Sequence, residues 1–281
     1  MKILIVGASS FIGFGIYSRL KTIKKYVITG TYFRNKKDED FLFLDITDKD
    51  SIKDIMIEKK PDTVLWIAGS KNLKLCQDNM EYAKSVNVYP VKNAIDTIKE
   101  YGLNTKFIFF SSDYVFDGNN GKYRDSDIPK PNTNYGISKF EAENQITVSN
   151  LDYIVIRTSA VMGKGGIFFD WILKNLRDSE FIDLFENVFF TPTPLGLLVD
   201  NVENILNNQK WNKSTIHICG EKKFSRYEFG KYIKSLNNSF KAKINPSLNK
   251  LDTFQSDLSL VSSNCSIKRK SLDDYFLLEI G

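Results

Sequence analysis

The chain has 281 residues, of which 42% are hydrophobic and 13% aromatic, enough for a packed globular core in one large domain, or a large domain carrying a smaller one. Its formal charge of +5 comes from lysines scattered among acids, which excludes a nucleic-acid stripe and leaves a mild positive field suited to an anionic, phosphate-bearing ligand. No apolar run approaches the roughly 18 residues of a membrane span, and the opening "MKILIVG" is too short and strand-like for a signal peptide, so no membrane partner and a cytoplasmic location are expected.

The first apolar run, "KILIVG", predicts a strand, and Ile12, Ile16 and Leu20 behind it repeat every fourth residue as a helix. "YVITGTYF" and "FLFLD" are the next strands. Ile52, Ile55 and Met56 form one helical face before "TVLWIAG", and a longer periodic run spans about Glu81 to Lys99 before "KFIFFSS" and then "DYIVIRTS". Each apolar run is nearly continuous, as in strands buried on both faces of a parallel sheet. Strand and helix alternating in this way predict an α/β fold, a Rossmann-like doubly wound parallel sheet.

After about Ser159 the rhythm becomes irregular. "GKGGIFFDW" and "FFTPTPLG" read as loops or a ligand-facing segment, followed by short helices and the single strand "STIHICG". The expected division is a nucleotide-binding domain over 1–158 with about 190–220, and a smaller mixed α/β substrate-binding lobe over about 159–189 and 221–281.

"VGASSFIG" joins the first strand to the first helix. Gly7 permits the tight turn, Gly13 lets helix and strand approach closely, and the backbone N–H groups around Ser9, Ser10, Phe11 and Ile12 can bind a pyrophosphate; Ser10 stands where the usual pattern has its middle glycine. At the end of the second strand, Arg34 with Lys36 and Lys37 behind it favours NADP(H) over NAD(H), because a basic group accepts a 2′-phosphate where an acidic one would hold a ribose hydroxyl. Asp38, Glu39 and Asp40 follow closely, which keeps NAD(H) open. Asp45 and Ile46 fall where an adenine could sit, with Thr47 or Asp48 as a helix cap. Ala68 and Gly69 at the end of the fourth strand complete the candidate cofactor set.

Tyr135 and Lys139 lie four apart in "NYGISKFEAE", on one helical face. A phenol with an unperturbed pKa near 10 is a poor proton donor at neutral pH unless a cation lies close to it, and a lysine one turn away supplies that cation. Ahead of this pair, "FFSSDYVFDG" ends a strand in two serines at the edge where such folds bind ligands. A hydroxyl there can hold a carbonyl oxygen while Tyr135 protonates it and a nicotinamide delivers hydride.

With these motifs in this order, the chain resembles the extended branch of the short-chain dehydrogenase/reductase superfamily, and more closely the dTDP-4-dehydrorhamnose reductase family. "SSDYVFDG", "YRDSDIPKPNTNYGISKFEAE", "RTSAVM" and "TPTP" carry the resemblance, which is strongest from Phe107 to Ser159. By resemblance, Ser112 is the catalytic hydroxyl, Tyr135 the proton donor, and Lys139 the residue that lowers the phenol pKa and binds the nicotinamide ribose. Asn87 in "KSVNV" matches the asparagine that supports the lysine. Lys71, Leu73, Ser112, Asp113 and Ala160 take substrate-adjacent positions, and Pro192, Thr193 and Pro194 shape a loop over the sugar.

The resemblance departs at Ala160, where the family carries tryptophan, at Met162, where tyrosine is frequent, and at "SKNLKLCQD". Losing an indole reshapes the pocket. It implies reduction of a 4-keto-6-deoxy nucleotide sugar for surface polysaccharide, with a homodimer left open. Alternatives are a non-catalytic NADP-binding subunit like the partner of methionine adenosyltransferase, and a nucleotide-sugar epimerase or dehydratase using Asp113.

His217 in "TIHICG" and Trp66 read as core, and Trp171 as core or ligand-facing. Glu143 matches a family glutamate and equally a solvated helix face. Cys76, Cys219 and Cys265 lie far apart, as buried thiols do.

Overall fold

The computed structural model describes residues 1–208, 213–250, 255–262 and 270–280, so Cys265 lies outside the described residues. β1 (Lys2–Val6), α1 (Phe11–Lys21), β2 (Val27–Tyr32), β3 (Leu42–Phe43), α2 (Lys49–Lys59) and β4 (Thr63–Trp66) open the chain. Helices α3 (Leu73–Asp78), α4 (Met80–Asn87) and α5 (Tyr89–Glu100) lead to β5 (Lys106–Ser112), and α6 (Asn134–Thr147) to β6 (Tyr153–Thr158). Then come β7 (Val161–Met162), α7 (Ile167–Asp178), β8 (Phe181–Phe185), β9 (Phe189–Phe190), β10 (Thr193–Pro194), α8 (Leu195–Asn208) and β11 (Ser214–Ile218). The described chain ends with β12 (Phe224–Ser225), α9 (Arg226–Ser235), β13 (Lys243–Ser247) and α10 (Leu272–Ile280).

Seven of these strands form one sheet in the order β11-β6-β5-β4-β1-β2-β3, every neighbouring pair parallel, which is the doubly wound Rossmann-like architecture that the continuous apolar runs predict. Side chains alternate across it. Ile3, Ile5, Ile108, Ile154 and Ile156 face α1 and α8, whereas Leu4, Val6, Phe107, Phe109 and Val155 face α2, α5 and α6. Each such side chain fully withdrawn from water contributes about 1.5–3 kcal/mol. A third apolar cluster joins α7, α9 and α10 with β8 and β12 through Phe169, Leu176, Leu184, Phe224, Phe229 and Phe276.

The structure departs from the predicted elements in several places. The run from Glu81 to Lys99 is two helices, because Pro90 cannot donate into the preceding turn and instead starts α5, leaving Val88 between them. "GKGGIFFDW" is loop only through Gly166. Ile167 begins α7, whose buried Phe169, Ile172, Leu173 and Leu176 have helical spacing. "STIHICG" is not the single late strand: β8 and β13 pair in parallel, with Pro246 tolerated on the two-stranded edge. Trp66 is core as read, and Cys76 and Cys219 are both buried, the Cys219 thiol donating to the Leu260 carbonyl at 3.5 Å.

Candidate active site

The loop between β1 and α1 is held by its own backbone. Ser10 N–H donates to the Gly7 carbonyl at 3.0 Å, and the Ser10 hydroxyl caps α1 by accepting from Gly13 N–H at 3.0 Å. Gly7 has φ +89°, and a Cβ at Gly13 would lie 2.2 Å from the Gly7 carbonyl oxygen, so neither site admits a side chain. The Phe11 and Ile12 amides carry no hydrogen bond among the described residues, and no acid occupies the first turn of α1, so the positive end of the helix stays open to an anion.

At the end of β2 the nearby acids are engaged: Lys21 pairs with Asp38 at 2.9 Å and Asp40 at 3.3 Å, and Lys36 with Glu39 at 3.4 Å. Arg34 is exposed, lies over the Phe33 ring, and makes no ion pair among the described residues. Asp45 accepts from the Thr47 amide at 2.9 Å and its hydroxyl at 2.7 Å, while Asp48 caps α2. Ile46 and Ala68 pack on the sheet. Beyond Gly69, the Ser70 amide donates to Asn87 Oδ1 at 2.9 Å. Asn87 Nδ2 donates to Ser138 Oγ at 3.0 Å, so Asn87 reaches α6 through the residue before the lysine and not through Lys139 itself.

Ser112 ends β5 and starts a 3-10 turn over Asp113–Val115; its hydroxyl donates to Asp113 Oδ1 at 2.9 Å. Asp113, expected beside the sugar, is buried, and its other oxygen accepts from Ser159 Oγ at 2.9 Å. Burial pushes the Asp113 carboxyl up to about 6, against the opposing pull of the two serines and of the Arg226 charge. Tyr135, half-buried in the first turn of α6, packs edge-on against the Tyr114 ring at 5.5 Å.

Lys139 is buried under the sheet edge. Its Nζ donates to the Phe110 carbonyl at 2.7 Å and lies 4.1 Å from the Phe109 ring centroid. Burial therefore governs both partners. It raises the phenol of Tyr135 above its usual value, opposed by the adjacent Ser112 hydroxyl and reinforced by Asp113 and Cys76. It also pulls the Lys139 ammonium down to about 7, opposed by Glu143. For the neutral phenol, burial is the largest influence, and the Lys139 amine is engaged by the Phe110 carbonyl.

Of the other sugar-side residues, Lys71 is exposed before α3, Leu73 is half-buried at its start, and α3 is pinned to α6 through Gln77 and Asn134. Ala160 packs on the third cluster. Thr193 is buried, its hydroxyl 3.3 Å from the Ser159 and Ile218 carbonyls, so the "TPTP" segment stitches strands together rather than forming an open loop. Trp171 stacks on Phe168 and is partly exposed. The buried His217 is half satisfied: Nδ1 faces the Tyr123 and Val261 carbonyls at 3.2 and 3.1 Å, whereas Nε2 has no partner among the described residues.

Two features escaped the sequence reading. Glu143, left open between a family glutamate and a solvated helix face, is buried and paired with Arg157, a partner the sequence did not point to. Arg226, first residue of α9, lies 4.3 Å over the Phe168 ring and interacts electrostatically with Asp113 and Tyr114. Its signal was the Ser225-x-x-Glu228 capping pattern, which marks a helix start there.

Residues 1–253 match the family model described as the RmlD substrate binding domain. The chain is similar to the dTDP-4-dehydrorhamnose reductase of Aggregatibacter actinomycetemcomitans, 28% identical over 234 residues that cover 81% of this chain and 76% of the relative. It is also similar to the methionine adenosyltransferase 2 subunit beta of Xenopus tropicalis, 27% identical over 190 residues, 68% of this chain and 53% of that one. Among solved structures, the dTDP-4-dehydrorhamnose reductase of Bacillus anthracis in complex with NADP has the same fold, with a TM-score of 0.85 at 21% identity over 99% of this chain and 98% of that one.

Proposed function

We propose that this chain, which belongs to the RmlD substrate binding domain family, reduces the ring ketone of a 4-keto-6-deoxy nucleotide sugar with a nicotinamide dinucleotide, NADP(H) in preference to NAD(H). The observation that carries this reading is the convergence of Ser112, Tyr135 and Lys139 at the carboxyl edge of the sheet that also bears the glycine loop. The loop fits the cofactor: no side chain fills Gly7 or Gly13, and two unbonded amides await a pyrophosphate. Arg34 and Lys37 are the basic groups that make no ion pair among the described residues once Lys21 and Lys36 have engaged the neighbouring acids, and Arg34, nearer the end of β2, is placed for a 2′-phosphate; the Bacillus anthracis relative was solved with NADP.

A bound reduced nicotinamide supplies the hydride. The chain supplies everything else. Ser112 orients the ketone oxygen, and Tyr135, kept protonated by its raised pKa, gives up its phenolic proton as that oxygen gains charge. Lys139 balances the phenolate left behind, so turnover needs its cationic form and falls as pH rises through about 7. The product would be a deoxysugar donor for surface polysaccharide.

The test is a panel of 4-keto nucleotide sugars scored for NADPH oxidation. Tyr135→Phe should lower kcat by about 10²–10⁴-fold, the usual worth of a positioned proton donor, and leave the NADPH Kd within about twofold. Cofactor binding with no sugar turned over by the unmutated protein would instead favour a regulatory subunit like the methionine adenosyltransferase relative.

A further inference from the structure

Tyr135, Lys139 and Glu143 follow one another at four-residue intervals along α6 and share its inward face. Under that face lies a polar row. Ser111 on β5 is in register with Arg157 on β6, and Arg157 with His217 on β11; strand alternation sets all three on the side of the sheet that α6 covers. Glu143 descends onto this row, and Arg157 grips it with both prongs, Nε to Oε1 at 3.0 Å and Nη2 to Oε2 at 2.7 Å. The two side chains are only 3% and 5% exposed.

Stability does not explain the pair. Removing two charges from water costs about as much as their attraction returns, and apolar residues of equal volume commonly hold a fold as well or better. Lys139, by contrast, needs an anion. Its Nζ touches a carbonyl and a ring face, and neither carries a charge. The titratable groups of this face are Tyr135 and Glu143 on the same helix, Arg157 on β6 paired with Glu143, and His217 on β11 with Asp125 behind it, while Asp113 on the 3-10 turn and Cys76 on α3 face Tyr135. Among them Glu143 is the anion that favours the ammonium.

We infer that Glu143, clamped by Arg157, is a positioning residue whose carboxylate serves as the fixed counter-charge of Lys139. The arginine is charged at any working pH and its fork fixes both oxygens, so the anion cannot swing toward the amine and pull it from the Phe110 carbonyl. This assignment rests on the catalytic reading of Lys139.

The experiment reads the Lys139 titration itself, from the 13C resonance of lysines labelled at Cε, assigned with Lys139→Met. Glu143→Gln should lower its midpoint by about one pH unit or more, the size expected when a close opposite charge is lost. Because the single substitution leaves Arg157 buried without its carboxylate, the double variant Glu143→Gln with Arg157→Met removes both charges; it should fold and show a smaller shift in the same downward direction, since the nearer anion is lost together with the cation behind it. An unchanged midpoint in both, with the loss confined to thermal stability, or failure of both to fold, would make the pair structural and overturn the assignment. The measurement needs neither cofactor nor sugar, so it stands or falls separately from the substrate panel.

Discussion

Asp113 sits at the point where burial and hydrogen bonding oppose each other most directly. Two serine hydroxyls, from Ser112 and Ser159, and the charge of Arg226 favour its carboxylate, yet desolvation still leaves its pKa near 6. Between about pH 4 and 6 the folded protein therefore binds a proton that the unfolded chain has released, and stability falls as pH rises through that window. Asp113→Asn keeps the shape and does not titrate. Its stability relative to wild type, followed by urea denaturation, should improve by on the order of 2–3 kcal/mol between pH 4 and pH 7. Parallel profiles for the two proteins would show that Asp113 is an ordinary carboxylate. The same residue faces Tyr135, so its ionisation adds to the upward pull on the phenol.

Helix α9 is fixed at its start by a reciprocal cap: Glu228 N–H donates to Ser225 Oγ at 3.1 Å, and Ser225 N–H donates to Glu228 Oε2 at 2.7 Å. That cap sets where Arg226 leaves the helix to meet Phe168 and the Asp113 turn. Ser225→Ala should cost about 1 kcal/mol in denaturant unfolding and raise amide exchange in the first turn of α9; unchanged exchange there would mean that packing of Phe229, not the cap, positions the element. The cap was readable as a sequence pattern, as were β1, β4, β5 and β6, whose apolar runs are those of strands covered on both faces, and β2, which is only partly covered. α7 was not, because its helical spacing begins directly after a glycine-rich run that suggests loop. The motif residues Ser112, Tyr135 and Lys139 could be named from order and spacing, whereas the burial of Glu143 depends on Arg157, an arginine within an otherwise apolar strand whose partner is brought in only by the packing of α6.

The segment over residues 255–262 ties distant parts of the chain together. On one side the Asp257 amide donates to the Gly118 carbonyl at 2.9 Å, and Tyr123 exchanges backbone bonds with Ser259 and Val261 at 3.0 and 2.8 Å. On the other, Phe189 bonds to Ser256 and Leu258 at 2.8 and 3.1 Å, and Thr191 Oγ1 meets both the amide and the carbonyl of Leu260. The strap thus joins the loop that follows the Ser112 turn to the strands that carry the third apolar cluster. Its centre is Asp257, a buried carboxylate that pairs with Lys223 and accepts from the Ser259 amide at 3.1 Å and hydroxyl at 2.7 Å. Asp257→Ala leaves those two Ser259 donors without an acceptor in a buried place, at about 1–3 kcal/mol for each group left unsatisfied. If the strap couples the two regions, hydrogen exchange in this variant should quicken together at residues 118–123 and 189–191. Faster exchange on one side alone would mean that the two regions open independently and that the strap merely lies across them.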